Sequence, residues 1–322
     1  MKPNPLLRSL GLADTDRVVL IHTDDIGMCH ASLAAYVDLV GPTGSDRPYG
    51  SDRATGSDRV TGSHHLTFAG STMTPCAWFP ATAQFCVENA DLVDMGVHVT
   101  LNAEWRGRYR WGPVAPWTPD DGLVDTDGYL SAATAEAQSR ARPEAVRREI
   151  AAQVQRALDA GIDVTHMDTH MGTVFYPGFL EAYVQIALEH RIPPFLVRAT
   201  PDILAARGIE GPLAESLAAH VDGLEAQGLP MFDDVRSARF ASMDDHLDQM
   251  KRTLSDLRPG LTYFITHPSK ETPELQAIIP ERWRERVADY QVLMNEELPH
   301  FLDEQGIHAI GWRTLRDRFR RS

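Results

Sequence analysis

The sequence predicts an α/β protein that forms a single (β/α) barrel, either regular or in a distorted or incomplete form. Short apolar runs alternate with helical patterns along most of the chain, an order typical of parallel sheets. The 322 residues suit one domain over 1–322, because barrels of this kind run from about 200 to over 400 residues. The sequence also lacks the glycine-rich fingerprints of open nucleotide-binding sheets. Active sites of barrels form at the carboxyl ends of the strands, so we expect the functional residues there.

The predicted elements are assigned from the spacing of apolar residues. The β-branched run at 18–21 predicts a first strand that ends at Asp24 and Asp25, and the alternation over 95–101 predicts another. The clearest helix covers 143–161, where apolar residues recur every four positions between an initial proline and a final glycine. The later elements are a strand over 162–170, a helix over 179–190, a strand over 194–198, a helix over 247–257, a strand over 261–266 and a short strand over 307–312.

One segment departs from this alternation. Three copies of a G-S-D-R hexapeptide lie between residues 44 and 61, with almost no apolar side chains. Such a composition cannot bury enough surface to offset the entropy of ordering. We therefore expect residues 42–65 to be a flexible loop inserted within the barrel domain.

The composition excludes several classes of partner. The chain carries 31 Lys and Arg against 45 Asp and Glu, a formal net charge of −14, which repels phosphate backbones and anionic lipid. We expect no nucleic-acid partner and no membrane partner, since no apolar run approaches the roughly 18 residues of a spanning helix and no export signal is visible. Cys29, Cys76 and Cys86 lack C-x-x-C spacing, so we expect reduced thiols and a cytoplasmic protein.

Polar side chains that can bind a metal lie within or at the ends of four predicted strands. They are Asp24, Asp25, His98, Asp168, His170 and His267. Because these ends converge on one face of a barrel, burying so many charges there without a cation would be costly. One aspartate with two histidines suits Zn²⁺, Mn²⁺, Co²⁺ or Fe²⁺ and leaves positions open for water and substrate. A second carboxylate beside the ligand can act as a general base, and the pair Asp24 and Asp25 fits this division.

An aromatic loop follows the strand that carries His98. Residues 104–117 hold three of the six tryptophans, among them Trp105 and Trp111. Aromatic faces over an active site are stacking platforms for sugar rings, so both tryptophans are candidate substrate-binding residues. The alternative is that they pack the loop onto the barrel.

Four motifs give the chain a specific resemblance. They are T-D-D-I-G at 23–27, G-V-H-V-T-L at 96–101, T-H-M-D-T-H at 165–170 and T-H-P at 266–268. With these motifs in this order, residues 17–312 resemble the YdjC-like family, the chitooligosaccharide-type carbohydrate deacetylases of the glycoside hydrolase/deacetylase superfamily.

The resemblance implies a metal-dependent hydrolase that removes an acetyl group from an N-acetylated sugar or oligosaccharide. It implies one divalent ion, Zn²⁺ or Mg²⁺ with Mn²⁺ or Co²⁺ as alternatives. The implied roles are metal ligation by Asp25, His98 and His170, general base for Asp24 and general acid for His267. Arg198 would orient the base or bind substrate, and Asp168 is a further substrate-binding or orienting candidate.

The chain departs from the family pattern at two places. Residues 171–174 read M-G-T-V where the family commonly has further histidines, and His22 stands where the family often has asparagine. Two other functions stay open: a metal-dependent phosphoesterase or amidohydrolase on a similar barrel, and a catalytically silent carbohydrate-binding protein. The identity of the sugar, the metal and a homodimeric assembly are left open as well.

Overall fold

The fold is taken from a computed structural model of the chain, which describes residues 3–40, 66–105, 107–205 and 210–321. The G-S-D-R repeat, and with it the expected flexible loop at 42–65, lies outside the described residues.

Parallel strands form the centre of the fold. They are β1 (Arg17–Ile26), β2 (Ala69–Thr72), β3 (Asp94–Val99), β4 (Met167–Thr169), β5 (Asp234–Arg236), β6 (Gly260–Thr266) and β7 (Ile307–Ala309). Their order in the sheet is β4-β3-β2-β1-β6-β5. The long strand β1 pairs with β6 from Arg17 to Thr23, while its other edge pairs first with β7 and then, from His22 onward, with β2. Every one of these pairings is parallel, so the strands end at one edge of the sheet.

The two edge strands of this sheet are linked by isolated bridges. Met167 in β4 bridges in parallel to Pro194, and Val197 bridges in parallel to Phe232, just before β5. Backbone hydrogen bonds between Phe195 and Met167 and between Phe232 and Leu196 accompany them. The sheet therefore curls into an incomplete (β/α) barrel, as the sequence predicts.

Helices surround the sheet. They are α1 (Pro5–Ser9), α2 (His30–Val40), α3 (Phe79–Glu88), α4 (Thr134–Arg140), α5 (Pro143–Asp159), α6 (Pro177–Glu189), α7 (Pro201–Ala205), α8 (Gly211–Ala226), α9 (His246–Ser255), α10 (Pro273–Ile278), α11 (Trp283–Leu293), α12 (Glu297–Glu304) and α13 (Trp312–Arg321), with 3-10 turns at Pro119–Asp121 and His170–Gly172. Three of them, α5, α6 and α9, confirm the helices expected from apolar spacing.

The strand predictions are confirmed in part. The strand expected over 162–170 is regular only at Met167–Thr169, and the segment 194–198 forms bridges instead of a strand. Trp312, expected in the last strand, begins α13 instead. The sequence did not indicate β2 and β5, because Ala-Gly-Ser-Thr and Asp-Val-Arg lack an apolar alternation.

Alternating residues of β1 divide the core into two layers. Val19 and Ile21 pack in the layer shared with the helices, whereas Val18 and Leu20 pack in the interior with Tyr263 and other strand residues. By the same alternation, His22 and Asp24 continue the interior side toward the end of the strand. None of the helices within the described ranges is both long and apolar enough to cross a bilayer.

Candidate active site

The end of β1 brings two adjacent carboxylates to one place. Successive side chains of a regular strand point to opposite faces. Here Asp25 adopts a left-handed backbone conformation, with φ of 63°, and the pairing with β2 shifts register between Thr23 and Ile26. Aspartate tolerates this conformation better than most residues do. The irregular backbone allows Asp24 and Asp25 to reach the same edge of the barrel.

Asp25 lies between two histidines from neighbouring strands. Its Oδ1 is 3.0 Å from Nδ1 of His170 and 3.3 Å from Nε2 of His98. The three ligand atoms lie within 4.8 Å of one another, and all three residues are buried. One carboxylate oxygen with two imidazole nitrogens is a donor set for Zn²⁺ or a similar divalent ion, with positions left for water and substrate. The cluster therefore fits the metal that the sequence implies.

Each histidine of the cluster is held by a carboxylate on its other ring nitrogen. His98 Nδ1 is 2.8 Å from Oδ1 of Asp168, and His170 Nε2 is 2.9 Å from Oε2 of Glu104. Hydroxyl groups of Ser71 and Tyr263 donate to Oδ2 of Asp168 at 2.9 and 3.1 Å. Carboxylate partners of this kind fix the tautomer and orientation of metal-binding histidines. Asp168 thus orients His98. The sequence does not indicate the corresponding bond in which Glu104 accepts from His170.

Arg286, on α11, occupies the second oxygen of Asp25. Its Nη2 lies 2.7 Å from Oδ2, which leaves Oδ1 to the two histidines. Burial alone would raise the pKa of Asp25, but the Arg286 guanidinium and His170 hold that pKa well below its usual range. Asp25 is therefore ionised and directed at the cluster. Nothing in the sequence around Arg286 distinguishes it from the other charges of its helix.

Two other groups of buried side chains have the residue types of a metal site. In the first, His22 and His166 bring their Nε2 atoms to 2.7 Å of one another beside Asp168. Two nitrogens on one tetrahedral zinc lie about 3.3 Å apart, so this spacing suits a shared proton instead. The second group joins Asp24 and Asp168 through His98, but both oxygens of Asp168 already accept hydrogen bonds. The Asp25 cluster is the better metal site.

Asp24 and His267 face each other beside the cluster. His267 follows β6 directly, its side chain is 39% exposed, and its Nε2 lies 3.8 Å from Oδ2 of Asp24. The other oxygen of Asp24 lies 2.6 Å from Nδ1 of His22. The backbone N–H of His267 donates to Asp289, whose second oxygen is 2.6 Å from Nε2 of the buried His246. The buried carboxylate of Asp24 thus lies against an imidazole that reaches solvent, and we call this point the opening of the site.

The remaining candidate residues occupy different positions. Trp111 is buried, donates to the carbonyl of Asn102 and lies edge-on to Trp105. Trp105 is half-buried, and the Cζ of Arg286 lies over its ring, 5.8 Å from the ring centre. Because Arg286 contacts Asp25, Trp105 borders the site. The structure does not bring Arg198 to this cluster. Its guanidinium pairs with Asp233 and Glu225. Asp233 accepts the backbone N–H of Leu261, near the start of β6, whereas His267 follows the other end of that strand.

Known proteins are similar to this chain in sequence and in fold. A family model described as YdjC-like protein matches residues 65–304. The chain belongs to the YdjC-like family. A carbohydrate deacetylase of Thermus thermophilus is 31% identical to this YdjC-like protein over 321 residues, 97% of this chain and 98% of the relative. A carbohydrate deacetylase of Thermoanaerobacter pseudethanolicus is 22% identical over 69% of this chain and 77% of its own.

A solved structure confirms the fold of this YdjC-like protein. The crystal structure of a protein proposed to act in cellobiose-phosphate cleavage, from Enterococcus faecalis, superposes with a TM-score of 0.66. The match covers 94% of this chain and 99% of the other at 16% identity, and it therefore supports the barrel alone.

Glu104→Gln is expected to weaken metal binding about 10- to 100-fold, because the neutral amide no longer raises the basicity of His170. Isothermal titration of the metal-free YdjC-like protein with Zn²⁺ measures the change. Glu189→Gln, an exposed substitution on α6, is the matched control and should bind as the wild type does. Equal affinity of the two variants would contradict a role for Glu104 in holding His170.

Metal binding by this YdjC-like protein is expected to strengthen as the pH rises. Burial lowers the pKa of His170, but the carboxylates of Glu104 and Asp25 raise it to about 9. Nδ1 must lose its proton to bind a metal, so binding at pH 7.5 should release at least about one proton per ion. Titration calorimetry in two buffers of different ionisation enthalpy measures this release. An affinity that is constant between pH 6.5 and 8.5 would show that His170 is not a ligand.

Proposed function

We propose that this protein is a metal-dependent carbohydrate N-deacetylase, which hydrolyses the acetamide of an N-acetylated sugar or oligosaccharide. The observation that carries the proposal is the pairing of a three-ligand cluster at Asp25 with a separate carboxylate at Asp24 and an imidazole at His267. A base, an acid and a metal site on one opening are what amide hydrolysis requires. The names of the relatives, carbohydrate deacetylases, support the same class of substrate.

Asp25, His98 and His170 would hold the ion. When bound there, Zn²⁺ or Mg²⁺ supplies Lewis-acid stabilisation of the charge that develops on the carbonyl oxygen and lowers the pKa of water. The imidazole-rich donor set favours Zn²⁺, with Mn²⁺ and Co²⁺ as related candidates. Arg286 keeps Asp25 ionised and oriented for this role.

Asp24 takes the proton of the attacking water. Its Oδ1 is held by His22, and its Oδ2 faces the opening, so one oxygen is available as the base. The water oxygen forms a bond with the carbonyl carbon as its proton moves to Asp24. Because Asp24 is not a member of the proposed ligand set, its electron pair remains free for this transfer.

His267 protonates the departing nitrogen. The bond between the carbonyl carbon and nitrogen breaks, and the products are acetate and the free amine of the sugar. The side chain of His267 is partly exposed, its Nε2 lies 3.8 Å from Oδ2 of Asp24, and its backbone N–H donates to Asp289. Donation from this imidazole removes the need to expel an amide anion.

Trp105 is half-buried and packs against Arg286, the partner of Asp25, so its ring is a candidate stacking surface for a sugar beside the cluster. The formal charge of −14 provides no attraction for an anionic substrate, whereas a neutral N-acetylated sugar needs none. This contrast favours a neutral sugar over a phosphate ester.

The proposal is tested by incubating the purified protein with N-acetylglucosamine oligomers and measuring acetate, with Zn²⁺, Mg²⁺ or a chelator added. Acetate release that requires the metal is expected. Hydrolysis of a generic phosphate ester without acetate release would favour a phosphoesterase. Oligosaccharide binding without acetate release, unchanged in Asp24→Asn, would favour a silent binding protein.

A further inference from the structure

Behind Asp24 lies a row of buried polar side chains that the proposed reaction does not use. His22 and His166 are both fully buried. Nδ1 of His22 is 2.6 Å from Oδ1 of Asp24, its Nε2 is 2.7 Å from Nε2 of His166, and Nδ1 of His166 is 3.0 Å from the hydroxyl of Thr165. The four residues form one continuous hydrogen-bonded chain from the opening into the barrel.

The fold makes room for this chain with specific residues. A side chain at Gly96 would place its Cβ 2.5 Å from the ring of His166, so glycine is needed there for close approach. The indole of Trp312 stacks on His166 at 4.6 Å with an interplanar angle of 6°. Tyr263 stacks on His22 at 4.8 Å. Both imidazoles are therefore packed into single orientations.

Hydrogen-bond chemistry fixes the direction of the first bond. An ionised carboxylate only accepts, so Nδ1 of His22 carries a proton and donates it to Asp24. Burial and the neighbouring His22 lower the pKa of His166 well below its usual range, so His166 is neutral. One proton then lies between the two Nε2 atoms, and its presence on either nitrogen is compatible with donation from His22 to Asp24.

We propose that His22, itself fixed by His166, is a positioning residue that holds Asp24 as the general base. The inference rests on the proposed function. Asp24 lies close enough to His98 and Asp168 to form a second group of metal-ligand type. A free Asp24 could rotate toward that group and lose its orientation toward the opening. The bond from His22 keeps one oxygen occupied and the other directed at His267.

His22→Leu removes this bond, and His22→Asn is its matched control. The amide nitrogen of asparagine takes the place of Nδ1 and still donates to Asp24, but it does not reach His166. We expect His22→Leu to lower kcat about 10- to 100-fold, with KM and Zn²⁺ affinity within about twofold of wild type. His22→Asn should keep most of the wild-type kcat. His22→Gln, which can reach His166 but not Asp24, gives the same test if the leucine variant fails to fold.

A spectroscopic measurement separates positioning from general packing. The proton between His22 and Asp24 should give a downfield imidazole N–H resonance in the metal-free wild type, and this resonance should be lost in His22→Leu and His22→Gln. Wild-type kcat in both variants would overturn the inference and leave the proposed function intact. Equal losses in His22→Asn and His22→Leu would also overturn it. A wild-type protein that releases no acetate would instead overturn the proposed function, and the inference with it.

Discussion

Asp25→Ala is expected to abolish acetate release and stoichiometric metal binding together. Asp25 supplies the single oxygen to which both histidine nitrogens are directed, at 3.0 and 3.3 Å. The variant should lose several kcal/mol of transition-state stabilisation, about 10³-fold or more in kcat/KM at about 1.4 kcal/mol for each factor of ten. Acetate release and calorimetric titration with Zn²⁺ measure the two effects on the same preparation.

The variant also leaves the guanidinium of Arg286 without its carboxylate, so its stability needs a separate measurement. Asp25→Asn keeps the volume of the side chain, and Asp91→Ala, an exposed substitution, controls for loss of an acidic residue. Thermal unfolding of all three variants shows whether the fold persists. Full activity or unchanged zinc binding in a folded Asp25→Ala protein would rule out Asp25 as a ligand.

Asp24→Asn is expected to lower kcat about 10²- to 10⁴-fold, the usual contribution of a general base. The amide has nearly the same shape as the carboxylate but cannot accept the proton of the attacking water. Since Asp24 is outside the proposed ligand set, Zn²⁺ affinity should stay within a few fold of wild type. Acetate release under saturating substrate, with metal affinity from calorimetry, measures both quantities.

The contrast between the two adjacent aspartates is the informative result. Loss of zinc binding in Asp24→Asn, or a kcat equal to that of wild type, would contradict the assigned division of roles. Reduced kcat with retained metal binding in Asp24→Asn, together with loss of both in Asp25→Ala, separates the base from the ligand.

Much of the candidate site could be predicted because the fold brings residues at the carboxyl ends of the strands together. Asp25, His98 and His170 are far apart in the chain, yet each lies at the carboxyl end of a strand or directly after it, and parallel pairing brings these ends together. Local patterns of apolar spacing also identify the helices that pack on the sheet. In both cases, a local signal is sufficient because the barrel supplies the long-range arrangement.

Other parts depend on contacts that no local pattern records. Arg286 reaches Asp25 from a helix 261 residues later in the chain, and it looks in sequence like any charge on a solvated face. Glu104 lies in a loop whose distinctive sequence feature is its aromatic content, so the local pattern does not identify Glu104 as a partner of His170. The short strands β2 and β5 have few large apolar residues. Their extended conformation depends on backbone pairing with the neighbouring strands, which a local pattern does not show. Arg198 shows the opposite case, a residue singled out by resemblance that the structure places in a separate ion-pair group.

Restoration of activity by metal is the most direct test of a metal-dependent deacetylase built on Asp25, His98 and His170. The purified protein, stripped by a chelator, is titrated with Zn²⁺ while acetate release from an N-acetylglucosamine oligomer is followed. We expect no acetate before addition and a linear rise that ends at one ion per chain. Acetate release from the stripped protein at the rate of the metal-loaded protein would contradict the proposed chemistry. So would the absence of acetate release at every concentration of Zn²⁺, Mg²⁺, Mn²⁺ or Co²⁺.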